Sequence, residues 1–136
     1  MPRLQEFAAG ALKGPPIVFN REKADIVFAQ FHETANFRGH ELRAVGIMAK
    51  HIHLVVGVKG DPDPDRVLGD FKSYASRALN KRFGKPKSET WWTVRGSTRK
   101  LRDEAAVLAA IEYVRNQANP LLIWIAGEGI VSERRT

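Results

Sequence analysis

The chain has 136 residues, no cysteine, 43% hydrophobic residues and a formal net charge of +7. That length suits one compact domain, and the hydrophobic content excludes global disorder. The lack of cysteine excludes a disulfide framework and a thiolate zinc site, and no apolar run reaches the roughly 18 residues of a membrane-crossing helix.

The first 12 residues carry Arg3 and Glu6 but no continuous apolar stretch, so no signal peptide is expected and the protein reads as cytoplasmic or nucleoid-associated. Residues 4–12 are compatible with a marginal helix, and Gly14-Pro15-Pro16 separates them from the rest. Asn20 is placed to cap a helix over residues 21–36, where Ala24, Val27, Phe28, Phe31 and Ala35 recur at helical spacing, with Arg38-Gly39 as its end. Two strands, 41–48 and 51–58, are joined across Ala49-Lys50, too short for anything but an antiparallel hairpin. The second is apolar on both faces and should be central. Asp65 is a plausible cap for a helix over 66–83, ended by Gly84. A strand is expected at 91–94, a turn at Gly96-Ser97, a helix over 105–116 begun near Asp103, and a last short strand over 121–125. The pattern is α+β, built on an antiparallel sheet.

Charge is distributed unevenly. Residues 72–102 hold ten basic side chains (Lys72, Arg77, Lys81, Arg82, Lys85, Lys87, Arg95, Arg99, Lys100 and Arg102) against the single acid Glu89, a local charge of +9. Such a segment repels itself unless it meets an anion, which points to nucleic acid. Trp91 and Trp92 lie inside it; on a strand their rings face opposite ways, so one fills the core and the other, taken as Trp92, either stacks on an unpaired base or packs as well. His51 and His53 alternate with Ile52 on one strand, so both imidazoles face the same side, where they can hold a divalent metal. Tyr74 sits on the helix that follows, off its apolar stripe, and is a candidate nucleophile toward a phosphodiester, with Lys72 and Arg77 for charge stabilisation.

The ordered set of residues extends further. It comprises the strand 46–50 before His51-Ile52-His53, then Phe71-Lys72-Ser73-Tyr74 with Asn80, Trp91, Arg102-Asp103-Glu104, Tyr113-Val114 and Asn119-Pro120. It resembles the single-tyrosine HUH transposases of insertion sequences, and more closely their REP-associated relatives, over residues 17–125. The resemblance implies a ferredoxin-like antiparallel sheet with helices on one face. It also implies binding of single-stranded or hairpin DNA, cleavage through a 5′-phosphotyrosine, Mg²⁺ or Mn²⁺ as cofactor, and a monomer or homodimer. By residue it matches His51 and His53 to the metal pair and Tyr74 to the nucleophile. The family's polar ligand one helical turn after the tyrosine falls on Ala78; by helix geometry Asp70, one turn before, could take its place as third ligand, and Asn80, six residues on, is a poorer candidate. Ile17-Val18-Phe19 is a poor replacement for the strand that relatives place before the first long helix, so the reading allows for a sheet without its first strand. Residues 1–16 are then an extension or remnant, 17–126 a nicking domain and 127–136 a tail, and a catalytically inactive, truncated DNA-binding protein is the alternative to a strand transferase.

Overall fold

A computed structural model of the chain describes residues 5–12, 18–92 and 96–134. In chain order these form β1 (Gln5–Leu12), α1 (Arg21–Arg38), β2 (Glu41–Met48), β3 (His51–Val58), α2 (Pro64–Phe83), β4 (Gly96–Leu101), α3 (Glu104–Arg115), β5 (Pro120–Ile125) and β6 (Gly129–Glu133). All six strands join one antiparallel sheet in the order β4-β1-β3-β2-β5-β6. The first six elements make the βαββαβ unit of a ferredoxin-like fold, and β5 and β6 widen it beyond β2.

β1 is the main correction to the sequence reading. A helix was the local preference of Phe7-Ala8-Ala9-Gly10-Ala11, but the segment pairs with β3 on one side and β4 on the other. Ladder hydrogen bonds to two neighbours outweigh a marginal helical propensity. The strand expected before the first long helix is therefore present, and it lies inside the sheet. Residues 127–136 are likewise more than a tail. Gly127 and Gly129 both take φ near +83°, and this Gly-Glu-Gly turn returns the chain as β6 against β5. Gly96-Ser97 opens β4 instead of forming a turn. A Cβ on Gly96 would lie 2.6 Å from Leu68 Cδ2 of α2 and 3.2 Å from the Gly10 carbonyl oxygen, so a larger residue would have to displace the Leu68 side chain. Residues 91–92 are an irregular bend, and the remainder of the strand expected at 91–94 lies outside the described residues.

The two faces of the sheet are covered differently. Ile52, Leu54, Val56 and Val58 of β3 point to α1 and α2, meeting Val27, Phe31, Phe71, Ala75 and Leu79. Val55 of β3, with Ala44, Ile123 and Ile125, points the opposite way, to Ala110 and Val114 of α3. Helices on one face is thus correct for α1 and α2, while α3 lies across the other side. α3 has only Ala110 and Val114 buried, whereas α1 and α2 bury five residues each. The caps at Asn20 and Asp103 accept from the backbone N–H of Lys23 and Ala106, at 3.0 and 2.7 Å. Asp63, not Asp65, caps α2, and Pro64 is its first residue. No described helix is long and apolar enough to cross a membrane.

Two histidines make the fold sensitive to acid. His32 stacks edge-on between Phe28 and Trp124, 4.6 Å from each ring, and His40 Nδ1 is buried without a hydrogen-bond partner. Burial holds both below the ordinary histidine pKa. The unfolded chain therefore binds their protons first. Stability is fully present above the unfolded value near 6.5 and is lost as pH falls through the lower folded values. Thermal melts at pH 7.5 and 5.5 should show a lower midpoint in acid, and a smaller drop in the double variant His32→Leu, His40→Leu. An equal drop in that variant would remove these histidines as the cause.

Candidate active site

His51 and His53 share the face of β3 that looks toward α3, and their ring centres are 5.2 Å apart. Glycines stand beside His53 on both neighbouring strands, Gly10 on β1 and Gly46 on β2. A Cβ on Gly10 would come within 3.1 Å of His53 Nδ1, and one on Gly46 within 3.0 Å of Val114 Cγ1. One glycine makes room for the imidazole, and the other lets α3 settle close to the strand that carries it. Burial, then the neighbouring His51, holds His53 below the ordinary histidine pKa. It is therefore neutral at pH 7, the form in which imidazole binds metal.

The close approach of α3 brings two residues to the pair. Tyr113, next to Val114, sets its ring centre 5.4 Å from that of His53 while remaining 61% exposed. Gln117, just beyond the Asn116 C-cap, donates from Nε2 to the Tyr113 carbonyl at 3.1 Å. That bond orients the amide, so Oε1 is the atom turned to His51 Nε2, at 3.4 Å. Among the described residues no three His, Cys, Asp or Glu side chains gather at a metal-binding distance. The other polar side-chain atom beside the pair is the Gln117 amide oxygen, next to His51. Two imidazoles and one amide oxygen on one side, with exposure beyond them, form a donor set that suits a hard or borderline divalent ion and leaves positions for phosphate and water.

Tyr74 and Asp70 are not part of this group. Both belong to α2, which packs on the other face, so the sheet stands between them and the histidines. Asp70 is 3.4 Å from Arg38 Nε in an ion pair, and the Tyr74 hydroxyl accepts from Arg38 Nη2 at 3.3 Å. The helical spacing that placed Asp70 one turn from Tyr74 was sound, but the face of the sheet on which α2 lies is not encoded in that spacing. Tyr113 stands in the ordered set above with no role assigned to it, and Gln117 is new to the group. Their signal is a tyrosine and an amide four residues apart at the end of an otherwise apolar helix, flanking the buried Val114.

The basic residues divide between the two faces. Lys72, Arg77, Lys81 and Arg82 lie on α2, where Arg82 meets Glu22 at 3.4 Å and burial lowers the Lys72 pKa. Lys85 and Lys87 follow in the loop after it. On β4, Arg99 alternates with Lys100 and so shares the α3 side with Leu101, while Lys100 pairs with Asp61 at 3.0 Å. Arg102 is exposed at the start of α3, and Arg95 lies outside the described residues. Trp92 cannot stack on a base. Both tryptophans are buried, Trp91 donating to Asn80 Oδ1 and Trp92 to Ser76 Oγ, each at 2.7 Å, because the chain there folds under the two helices instead of running as a strand.

The seat of α3 gives a direct prediction. In Gly46→Ala the added methyl meets Val114, and overpacking of this kind costs about 1–3 kcal/mol. The melting temperature should fall, and the Tyr113 and His53 rings should separate, which aromatic chemical shifts would register. Unchanged shifts would mean that Val114 yields without moving the helix.

Comparison with known proteins bears on the fold and the family. No curated protein matches the chain. One solved structure of similar fold is a REP-associated tyrosine transposase bound to a REP hairpin, with TM-score 0.64, 15% identity and coverage of 84% of this chain. The chain spans 66% of that protein's length. Another is a protein of Deinococcus radiodurans named as a transposase, with TM-score 0.64, 20% identity, and coverage of 88% of this chain and 94% of that one. The family model of IS200-like transposases matches residues 16–117, a stretch that includes the His pair, Tyr113 and Gln117. The chain belongs to the IS200-like transposase family.

Proposed function

We propose that this protein is a DNA strand transferase that cuts and rejoins single-stranded, hairpin-forming DNA, with Tyr113 as nucleophile. The observation that carries the reading is the convergence of Tyr113 and Gln117 on His51 and His53, from a different element and at 5.4 and 3.4 Å. In cleavage the Tyr113 oxygen attacks phosphorus and loses its proton, the bond from phosphorus to the 3′ oxygen breaks, and that oxygen leaves as a 3′-OH. The product is a 5′-phosphotyrosine, and attack by a 3′-OH of another end reverses the step and restores the tyrosine. His51, His53 and the Gln117 amide oxygen would hold the Mg²⁺ or Mn²⁺, which when bound polarises and orients the phosphate. Arg99, on the same side of the sheet, is placed to meet phosphates beyond the cleaved one.

A silent DNA-binding protein would be favoured by a missing first strand and by the lack of a polar ligand at Ala78. β1 fills the first place and Gln117 offers a donor for the second, so both observations favour the enzyme. The test is a denaturing gel of protein incubated with labelled single-stranded DNA and Mn²⁺. A covalent adduct that disappears with a chelator, and in His51→Ala, supports the reading. Salt-sensitive binding with no adduct under any metal would sink it.

A further inference from the structure

Tyr74 has no access to the His pair, yet it is the centre of a second cluster. The Arg77 guanidinium lies 5.2 Å from the Tyr74 ring centre and that of Arg38 5.8 Å, within reach of cation–π attraction. Arg38 is also 5.4 Å from the ring centre of Phe37, which stands at the end of α1 with 75% of its surface exposed. Tyr74 thus holds two guanidinium groups, and beside them is a bare aromatic ring that the core does not use.

The surroundings are cationic. Arg66, Tyr74, Arg77 and Lys81 recur at helical spacing along one side of α2, over about 22 Å at 1.5 Å per residue. Among the described residues Arg66, Arg77 and Lys81 form no ion pair. The acids nearby are Asp70, which is held by Arg38, Glu33, one turn before Phe37 on α1, and Asp65, next to Arg66 and accepting from the Thr98 hydroxyl. An exposed ring beside Arg38, with the unpaired cations Arg77 and Lys81 along the adjoining helix, matches an unpaired nucleotide, which offers a flat base and an attached phosphate. Within a duplex each base is covered on both faces by its neighbours and offers no free face to such a ring.

We propose that Phe37, Arg38, Tyr74 and Arg77 form a second nucleic-acid site, on the face opposite the active site, that takes an unpaired nucleotide flanking the DNA hairpin. The base stacks on Phe37, and Arg77 and Lys81 meet its phosphates. The inference rests on the DNA-processing reading above and adds a contact that the chemistry does not need. The strand would then touch both faces of the sheet, and the flank would anchor the protein while Tyr113 works elsewhere.

The test compares two fluorescent probes by anisotropy: a DNA hairpin with an unpaired flank of about eight thymidines, and the same hairpin with a blunt end. Phe37→Ala and Arg77→Ala should each weaken binding of the flanked probe about tenfold and leave the blunt probe unchanged. Both side chains are exposed, so the variants should melt as the wild type does. A flank carrying 5-iododeoxyuridine should crosslink to the peptide that contains Phe37. Equal binding of the flanked probe by wild type and variants overturns the proposal and leaves Phe37 to a protein contact. Equal losses on both probes also overturn it, because they reflect general phosphate attraction. In either case a wild-type covalent adduct would leave the proposed function standing. A wild type that binds neither probe removes both.

Discussion

Tyr113→Phe is expected to give no covalent adduct with single-stranded DNA, a loss of at least about a thousandfold, as for removal of other enzymatic nucleophiles. The substitution is clean. Phenylalanine keeps the ring against His53, and the side chain is 61% exposed, so the fold loses almost nothing. DNA binding should therefore be close to wild type while the adduct band vanishes. Tyr74→Phe is the matched control. It removes only the hydrogen bond from Arg38 and should leave the adduct intact. If Tyr113→Phe still forms adduct, the nucleophile is misassigned. If Tyr74→Phe loses it, the position of Tyr74 across the sheet does not exclude it from the chemistry.

Phe71→Ala should have the largest effect on stability, about 3–5 kcal/mol, set against the 5–15 kcal/mol typical of a whole domain. Phe71 is fully buried and meets Phe31 edge to face at 5.3 Å, joining α2 to α1 over the sheet. The His40 ring centre lies 6.2 Å from that of Phe71, so the vacated space adjoins another ring. Urea unfolding should show the loss as a lower midpoint with an unchanged slope. A change below about 1 kcal/mol would mean that the two helices collapse into the space.

The central hairpin was readable because two apolar strands with two residues between them admit one connection. The helices were readable because their buried positions repeat at three and four residues. β1 was not, because Ala8, Ala9 and Gly10 carry little pattern and their strand state is imposed by two neighbours distant in sequence. At the site, His51 and His53 were legible from alternation on β3 alone. The choice between Tyr74 and Tyr113 was not, since each sits on an amphipathic helix and the deciding fact is which face of the sheet that helix covers. The His face became legible only through contacts between Gly46 and Val114, residues 68 positions apart. The local +9 charge pointed to nucleic acid but could not show that the sheet divides its members between two sides.

The uneven burial of the helices gives the candidate site two halves of different firmness. The histidines ride on β3, which is hydrogen-bonded on both edges at the middle of the sheet. Tyr113 and Gln117 ride on or just beyond α3, held from beneath by Ala110 and Val114. Amide protons of β3 should exchange only with global unfolding, and those of α3 orders of magnitude sooner, through local opening. If Tyr113 is the nucleophile proposed above, it can be displaced with its DNA end at the expense of two buried side chains and the partly buried Ala106, Val107 and Ile111, while the histidines keep their place.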